Sequence, residues 1–389
     1  MAPNPTRTPY PEGMLGAPKD RRGHATGFDA GLPTGTEVFS ADNHITVADD
    51  IFYERFPDDL KDLAPRIWYE DGAYLLGPPG QSMVVGDFSA VLMQYDDLAG
   101  AVSNNIDARI QELSEDGVDK ELVFPNAVLA LFHHPDKNIR ERIFDVYNEH
   151  IAEVQERSGG RLYGVGLINW WDARGARRTL KQVKDLGLRT FLMPLNPGND
   201  DDGQPIDYSS TAMSAVWDEI EESGLPLTHH IGESQPKYPS EVNSVAVAMM
   251  VNIDSFREMF SKYIFGGILD RHRRLRIGWF EGGIAWVPLA LQDAEHVLAS
   301  YRHMLRSHPE HGIRHYWDNH MCASFMVDGL GLRLIDEIGV DHVMWSSDYP
   351  HNESTFGYSE RSLAAVVDAV GPENATRIVG GNIRKFLGI

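Results

Sequence analysis

The chain has 389 residues, 42% hydrophobic and 24% charged, which is the composition of a globular protein with a substantial core. Its formal net charge of −22 disfavours partners rich in phosphate or anionic lipid, so we expect neither nucleic acid nor a membrane surface to bind it. A single cysteine, Cys322, excludes an intramolecular disulfide, and no signal-peptide or membrane-spanning pattern stands out, so the predicted location is the cytoplasm.

The first 36 residues are rich in proline, glycine and charge, and their apolar residues show no regular spacing. Such a composition is typical of a segment without a core of its own. We therefore predict an N-terminal arm over 1–36, either disordered or laid across a partner subunit. The remainder, 37–389, is predicted to form one catalytic domain.

Eight short apolar runs follow the arm, and each has the length and composition of a buried strand. Segments with helical periodicity separate most of them, which predicts an α/β fold with a parallel sheet, the (β/α)8 TIM barrel. The long stretch 45–117 after the first strand is predicted to be an insertion near the mouth of the barrel. The predicted strands are 37–44, 119–124, 162–168, 188–193, 226–231, 275–281, 319–325 and 342–348, and the clearest helices are 138–157, 174–186, 212–223 and 328–338.

Polar side chains collect at the carboxyl ends of these strands, where barrels of this class carry their chemistry. The first strand ends in Asp42-Asn43-His44, and residues two apart on a strand point to the same side. The eighth strand ends in Asp348. Imidazoles and carboxylates are the ligands of Zn²⁺, Mn²⁺ and Fe²⁺, so these ends predict a site for a divalent metal ion.

The other strand ends leave alternatives open. His229 and His230 are adjacent, so the alternation of a strand allows only one of them to face the barrel axis. Glu281 follows the sixth strand and precedes two glycines. His351 can orient Asp348, contact the substrate, or simply belong to the turn that follows the eighth strand.

Four segments carry a family pattern: SADNHITVADDIFYERFPDDLKDLAPRI at 40–67, FEGGIAWVPLALQDAEH at 280–296, WSSDYPHNEST at 345–355 and IVGGNIRKFLGI at 378–389. They resemble the amidohydrolase-related branch of the amidohydrolase superfamily. This branch includes the aminocarboxymuconate-semialdehyde decarboxylase-like and resorcylate decarboxylase-like enzymes. The resemblance covers roughly residues 37–389 and leaves the arm outside it.

The resemblance implies one divalent metal ion held by Asp42 and His44 of strand one, His230 of strand five and Asp348 of strand eight. It implies Zn²⁺ as the first choice, with Mn²⁺ or Fe²⁺ as alternatives. It also implies a small-molecule substrate and a homo-oligomer, most simply a dimer.

The expected activity is the non-oxidative decarboxylation of an aromatic or unsaturated carboxylic acid, with Asp348 as metal ligand and proton shuttle. The alternative is a metal-dependent hydrolase of a C–N, C–O or C–C bond, in which Asp348 takes the proton of the attacking water. Many relatives have a histidine where this chain has Glu281. Glu281 is therefore expected to act as acid or base, to bind the metal, or to leave the role to His229.

Further polar and aromatic side chains follow the predicted strands and are expected to line the substrate pocket. Their mixture suggests a flat, partly apolar substrate. For Trp170, packing in the core is as good an explanation as contact with the substrate. The predicted pocket residues are Asn126, Asn169, Trp170, Met193 and His351.

Overall fold

A computed structural model describes residues 29–47, 50–70, 73–77, 83–84, 105–132, 134–200, 202–232 and 244–389. Most of the arm predicted over 1–36 lies outside these residues, so the prediction of an arm remains untested. Among the helices of the described ranges, none combines the length and the apolar character needed to cross a membrane.

Eight strands form one parallel sheet in which their spatial order follows their order along the chain. This confirms the predicted (β/α)8 barrel. All eight predicted strands are present, and several are shorter than predicted. The barrel strands are β1 Phe39–Ile45, β5 Lys120–Pro125, β6 Leu162–Leu167, β7 Thr190–Leu192, β8 Leu227–His230, β9 Ile277–Phe280, β10 Met321–Phe325 and β11 Val343–Trp345.

The insertion predicted over 45–117 contains its own small sheet. Three antiparallel strands, β2 Arg66–Glu70, β3 Ala73–Gly77 and β4 Met83–Val84, pair in that order. Two helices flank this sheet in the chain, α1 Ile51–Arg55 and α2 Ile106–Glu115. The second of them returns the chain to the barrel at β5.

Helices cover the outside of the barrel, so its strands are buried on both faces and read as apolar runs. Aspartates begin several of these helices: Asp136 accepts hydrogen bonds from two N–H groups in the first turn of the helix that follows it, and Asp172 accepts one in the same way. The remaining helices are α3 Lys137–Arg157, α4 Ala173–Asp185, α5 Ser214–Ser223, α6 Ser244–Val251, α7 Asp254–Phe265, α8 Ile268–Arg271, α9 Trp286–Tyr301, α10 Ile313–His320, α11 Gly329–Arg333, α12 Ile335–Ile338, α13 Ser359–Val370, α14 Pro372–Thr376 and α15 Asn382–Leu387.

The predicted helix 328–338 is wrong in one respect, because the chain forms two short helices there, α11 and α12. They meet at Leu334, whose backbone is not helical. Asp328 begins the first of them and also accepts hydrogen bonds from the N–H groups of Ile284 and Ala285, both at 2.8 Å. One carboxylate therefore ties two successive βα connections together.

The two ends of the sheet meet through the backbone. Asp348 donates its N–H to the carbonyl of Asp42 at 2.8 Å, and His44 donates its N–H to the carbonyl of Tyr349 at 2.7 Å. Because β11 ends at Trp345, the chain after the last strand, rather than the strand itself, makes these closing contacts. The closure brings the polar end of the last strand beside that of the first.

Candidate metal centre

Six ionisable side chains converge at the carboxyl ends of β1, β8, β9 and β11. All are buried or nearly so, with 10% or less of each side chain exposed. Two groups within the set have their ligand atoms within 4.8 Å of one another, one on Asp42, His44 and His230 and the other on His44, Glu281, Asp348 and His351.

The spacing of the ligand atoms fits a single cation. His230 Nε2 lies 3.4 Å from Asp42 Oδ1, and His44 Nε2 lies 3.6 Å from Asp42 Oδ1 and 3.3 Å from Asp348 Oδ1. Four donors about 2.1 Å from a tetrahedral Zn²⁺ would lie roughly 3.4 Å from one another. The three observed separations are close to that value, and the ligand atoms form two overlapping groups that share His44.

Several of these atoms lack the partners that buried polar atoms normally have. Within the described part of the chain, both carboxylate oxygens of Asp42 and Asp348, and Nε2 of His44 and His230, make no hydrogen bond of good geometry. Buried polar atoms without partners are rare in native proteins. A cation bound among them would supply partners that the described residues do not, so the residues present fit a divalent metal.

A backbone carbonyl orients one imidazole of this set, that of His230. Nδ1 of His230 lies 2.6 Å from the carbonyl of Ile231, which places a proton on Nδ1 and leaves the Nε2 lone pair directed into the cluster. Burial lowers the pKa of the His44 imidazole well below its usual value, and the carbonyl of Pro125 opposes that shift in part. Carbonyl partners of this kind fix the tautomer of histidines that bind metals.

Charges within the cluster shift the protonation of its members. The pKa of Asp42 is raised to about 6, mainly by burial and to a smaller extent by the charge of Asp348, while His230 opposes the change. Burial lowers the pKa of His230, but the carboxylates of Asp42 and Glu281 outweigh it and raise that pKa to about 9. The metal-free cluster therefore holds protons that a bound cation would displace.

The sequence profile of the amidohydrolase family matches residues 103–389, which is well over half of the chain. The chain belongs to the amidohydrolase family. No curated protein sequence matches it. The family assignment agrees with the resemblance found in the sequence, and the barrel carries the cluster where such enzymes have their chemistry.

Solved structures with the same fold include several decarboxylases. An amidohydrolase from Mycobacterium avium subsp. paratuberculosis is 17% identical over 92% of this chain and 100% of its own, with a TM-score of 0.69. The 2,6-dihydroxybenzoate decarboxylase from Rhizobium is 16% identical over 91% and 99%, with a TM-score of 0.64. The 5-carboxyvanillate decarboxylase from Novosphingobium aromaticivorans, a complex with manganese and 4-hydroxy-3-methoxy-5-nitrobenzoic acid, is 14% identical over 93% and 99%, with a TM-score of 0.66.

Two residues of this amidohydrolase cluster have a strained backbone. Glu281 and Asp348 have φ angles of 68° and 59°, and they are the only non-glycine residues with positive φ among those described. Such a conformation costs on the order of 1 kcal/mol or more in an ordinary residue. Glu281 is held there by a 3.1 Å hydrogen bond from its N–H to Ser324 Oγ. Strain concentrated in two clustered carboxylates points to a functional requirement for their orientation.

Glu281 and His351 complete the cluster. Glu281 Oε2 lies 3.0 Å from His230 Nε2, and His351 Nδ1 lies 3.1 Å from Asp348 Oδ1 and 3.5 Å from Glu281 Oε1. The ring of His351 also stacks on that of His44 at a centroid distance of 3.9 Å. Burial raises the pKa of Glu281 to about 7, whereas the two carboxylates outweigh burial and raise the pKa of His351 well above its usual value.

His229 does not reach the cluster. Its Nδ1 lies 2.7 Å from the carbonyl of Met193, and its Nε2 lies 2.8 Å from the hydroxyl of Tyr263. The ring stacks on Trp279 at 5.1 Å, on the side of β8 away from the barrel axis. Burial lowers the pKa of His229 to about 3, so this imidazole is neutral. Its hydrogen bonds to Met193 and Tyr263 fix the position of β8.

Of the five predicted pocket residues, only His351 joins the cluster. Trp170 is buried against aromatic rings and donates Nε1–H to the carbonyl of Pro197 at 2.9 Å. Asn169 donates its N–H to Thr179 Oγ1 in α4. Asn126 lies beside the end of β1, where its N–H bonds the Ile45 carbonyl at 3.2 Å, and the N–H of Met193 bonds the Thr228 carbonyl at 2.9 Å.

Our sequence interpretation missed a charged pair directly behind the cluster. Glu121 and Arg109 form a buried ion pair between β5 and α2. The available signal was a glutamate inside the apolar strand KELVFP, since a charge rarely occupies such a position without a partner.

Proposed function

We propose that this amidohydrolase is a divalent-metal-dependent, non-oxidative decarboxylase of an aromatic or unsaturated carboxylic acid, with Asp348 as both metal ligand and proton carrier. The observation that carries the proposal is the buried set of Asp42, His44, His230 and Asp348, whose ligand atoms lie in two close groups that share His44 and make no hydrogen bond of good geometry with the described residues. The decarboxylases among the similar structures support this reaction over others.

A divalent ion held by these residues would supply positive charge against which a substrate carboxylate and a neighbouring oxygen can bind. Asp348 transfers the proton that the reaction requires. Its carboxyl group donates a proton to the substrate carbon that bears the carboxylate, the C–C bond breaks, and its electron pair returns to the unsaturated system. CO₂ leaves, hydrogen takes its place on the carbon, and Asp348 recovers a proton from water.

His351 is placed to keep Asp348 in position during this cycle. Its Nδ1 lies within hydrogen-bonding distance of Asp348 Oδ1, and stacking on His44 limits rotation of its ring. A donated N–H would fix one carboxylate oxygen and leave the other free to face the substrate. The backbone at Asp348 has a positive φ of 59°, so the chain bends at this residue, after the end of β11 at Trp345.

Glu281 is proposed to act as an acid or base beside Asp348. Replacing Glu281 with Gln is expected to lower kcat by about 10²-fold with the metal retained, since general acid–base groups typically contribute 10²- to 10⁴-fold. Turnover and metal content measured on the same preparation would test this. Glu295→Gln, on an exposed position of α9, is the control. Near-normal turnover in Glu281→Gln would leave Glu281 only a structural role.

A metal-dependent hydrolase is the second candidate, and Glu281 is the observation that favours it. An ionised carboxylate beside the metal would repel an anionic substrate, whereas a neutral amide or lactone carries no such penalty. In a hydrolase Asp348 would take the proton of the water that attacks the carbonyl, and the same six side chains would serve.

The deciding experiment is elemental analysis of the purified protein, followed by incubation of the metal-loaded enzyme with hydroxybenzoates, enoic acids, amides and lactones. About one divalent ion per chain with CO₂ release supports the decarboxylase. Metal with hydrolysis and no CO₂ supports the alternative, and a chain that binds no divalent metal contradicts both.

The proposal extends to the metal, the assembly and the location. Zn²⁺ agrees with a ligand set of two imidazoles and two carboxylates, and Mn²⁺, which is bound in the carboxyvanillate decarboxylase complex, is an equal candidate. We further propose that the protein is a homodimer and that it is located in the cytoplasm. The presence of only one cysteine supports the cytoplasmic location.

A further inference from the structure

Behind the cluster, on the outer side of β1, lies a network of buried polar groups. Asn43 stands between Asp42 and His44, and its side chain points to the opposite face of the strand. Asn43 Nδ2 donates to Glu121 Oε2 at 2.7 Å, while its Oδ1 accepts the N–H of Tyr349 at 2.9 Å. The amide therefore touches the strand that carries two candidate ligands and the turn that carries a third.

The glutamate that accepts the hydrogen bond of the Asn43 amide belongs to a buried ion pair. Arg109 donates Nε–H and Nη2–H to the two carboxylate oxygens of Glu121 at 2.8 Å and 2.7 Å, and the two side chains are 1% and 3% exposed. The guanidinium also lies over the ring of Tyr349, 5.0 Å from its centroid. Tyr349 is thus contacted from two directions, by Asn43 at its backbone and by Arg109 at its ring.

A β-bulge in β1 explains why the strand that carries Asp42 depends on this network for its position. The pairing of β1 with β5 slips between Ser40 and Asn43, so Asp42 lies in the irregular part of the strand. A bulge changes the direction of the side chains within it, and the hydrogen bonds of regular strand pairing do not fix the bulged residues. Here the Ser40 hydroxyl donates to Asn43 Oδ1 at 3.0 Å, and Glu121 holds the same amide from β5.

We propose that the Glu121–Arg109 pair is a positioning device for the metal centre, acting through Asn43 and Tyr349 on the segments that carry Asp42, His44 and Asp348. The inference rests on the proposed metal-dependent function. Neither charged residue touches the cluster, so both act by fixing the backbone from which the ligands project. Their role is separable from fold stability because apolar residues of similar volume can often replace a buried ion pair without loss of stability.

The test is the variant Arg109→Met/Glu121→Met in the full-length chain, compared with wild type by titration of the metal-free protein with Co²⁺. The ion's visible absorption reports both its affinity and its coordination geometry. We expect a folded protein with Co²⁺ affinity lowered roughly 10- to 100-fold, the range for loss of outer partners of metal ligands, and an altered spectrum. The matched control is Arg178→Met/Asp145→Leu, which removes an ion pair between α3 and α4 that contacts none of these segments.

Unchanged Co²⁺ affinity and spectrum in the folded double variant would overturn the inference, and so would an equal loss in the control. If the double variant does not fold, Glu121→Gln replaces it. Glutamine has one acceptor oxygen where Glu121 has two, so its NH₂ group would face a donor of Arg109 or Asn43 and at least one of the three hydrogen bonds would be lost. A smaller loss of affinity is therefore expected, and none would again overturn the inference. A wild-type chain that takes up no Co²⁺ is a distinct result that contradicts the proposed function as well.

Discussion

Replacing Asp348 with Asn is expected to lower kcat by about 10²- to 10⁴-fold, the usual contribution of a group that transfers a proton in the transition state. The amide cannot donate an acidic proton to carbon or accept one from water. Asn tolerates positive φ at least as well as Asp, so the backbone conformation at 59° should persist. Turnover, measured as CO₂ release from the best substrate of the panel, checks this expectation.

Asp341→Asn is the matched control, since Asp341 is a partly exposed residue that pairs with Arg377 far from the cluster. It should turn over at the wild-type rate. Circular dichroism of both variants separates loss of catalysis from loss of fold. Turnover within a few-fold of wild type in Asp348→Asn would remove Asp348 from the proton-transfer role, whatever its contribution to metal binding.

Replacing His44 with Ala is expected to remove the metal from the purified protein. His44 Nε2 lies within 3.6 Å of oxygens on both Asp42 and Asp348, so it stands at the middle of the candidate ligand set. Loss of a ligand should cost more affinity than the roughly 10- to 100-fold typical of an outer partner. Elemental analysis after dialysis against metal-free buffer measures the content directly.

The control for this variant is His303→Ala, which changes an exposed histidine. It should keep the metal content of wild type. A folded His44→Ala protein that retains one tightly bound ion per chain would contradict the assignment of the cluster as a metal centre. The pH at which metal is lost from wild type is a further observable, because the protons held near Asp42 and His230 compete with the cation.

The strands could be predicted from the sequence because each is a short apolar run bounded by polar residues. Their ends were less predictable. The run 342–348 reads as one strand, but the strand ends at Trp345. Ser346 still donates its N–H to Phe325 of β10, and Asp348 then donates its N–H to Asp42 of β1 instead of continuing that ladder. The helix predicted over 328–338 breaks at Leu334, and no glycine or proline at that position indicates it.

The candidate site, like the strands, could be predicted from the sequence only in part. Alternation along β8 implied that one of His229 and His230 faces the axis, and the tertiary structure decides which one, because Tyr263 and the Met193 carbonyl bind the other on the outer face. The predicted pocket residues Asn169 and Trp170 lie in contacts with helices and loops instead. Their distance from the strand ends along the chain was short, but the direction of a side chain in a loop follows from packing rather than periodicity.

The sequence alone determined the class of fold, the family resemblance and the ligand types available at the strand ends, because these follow from local patterns of apolar and polar residues. Only the tertiary structure decided that Glu281 and His351 join Asp42, His44 and Asp348, and that Arg109 and Glu121 stand behind them. The physical reason is closure of the barrel. Residues some 300 positions apart, such as Asn43 and Tyr349, become hydrogen-bonded neighbours when the last strand meets the first, with a sequence separation of 306.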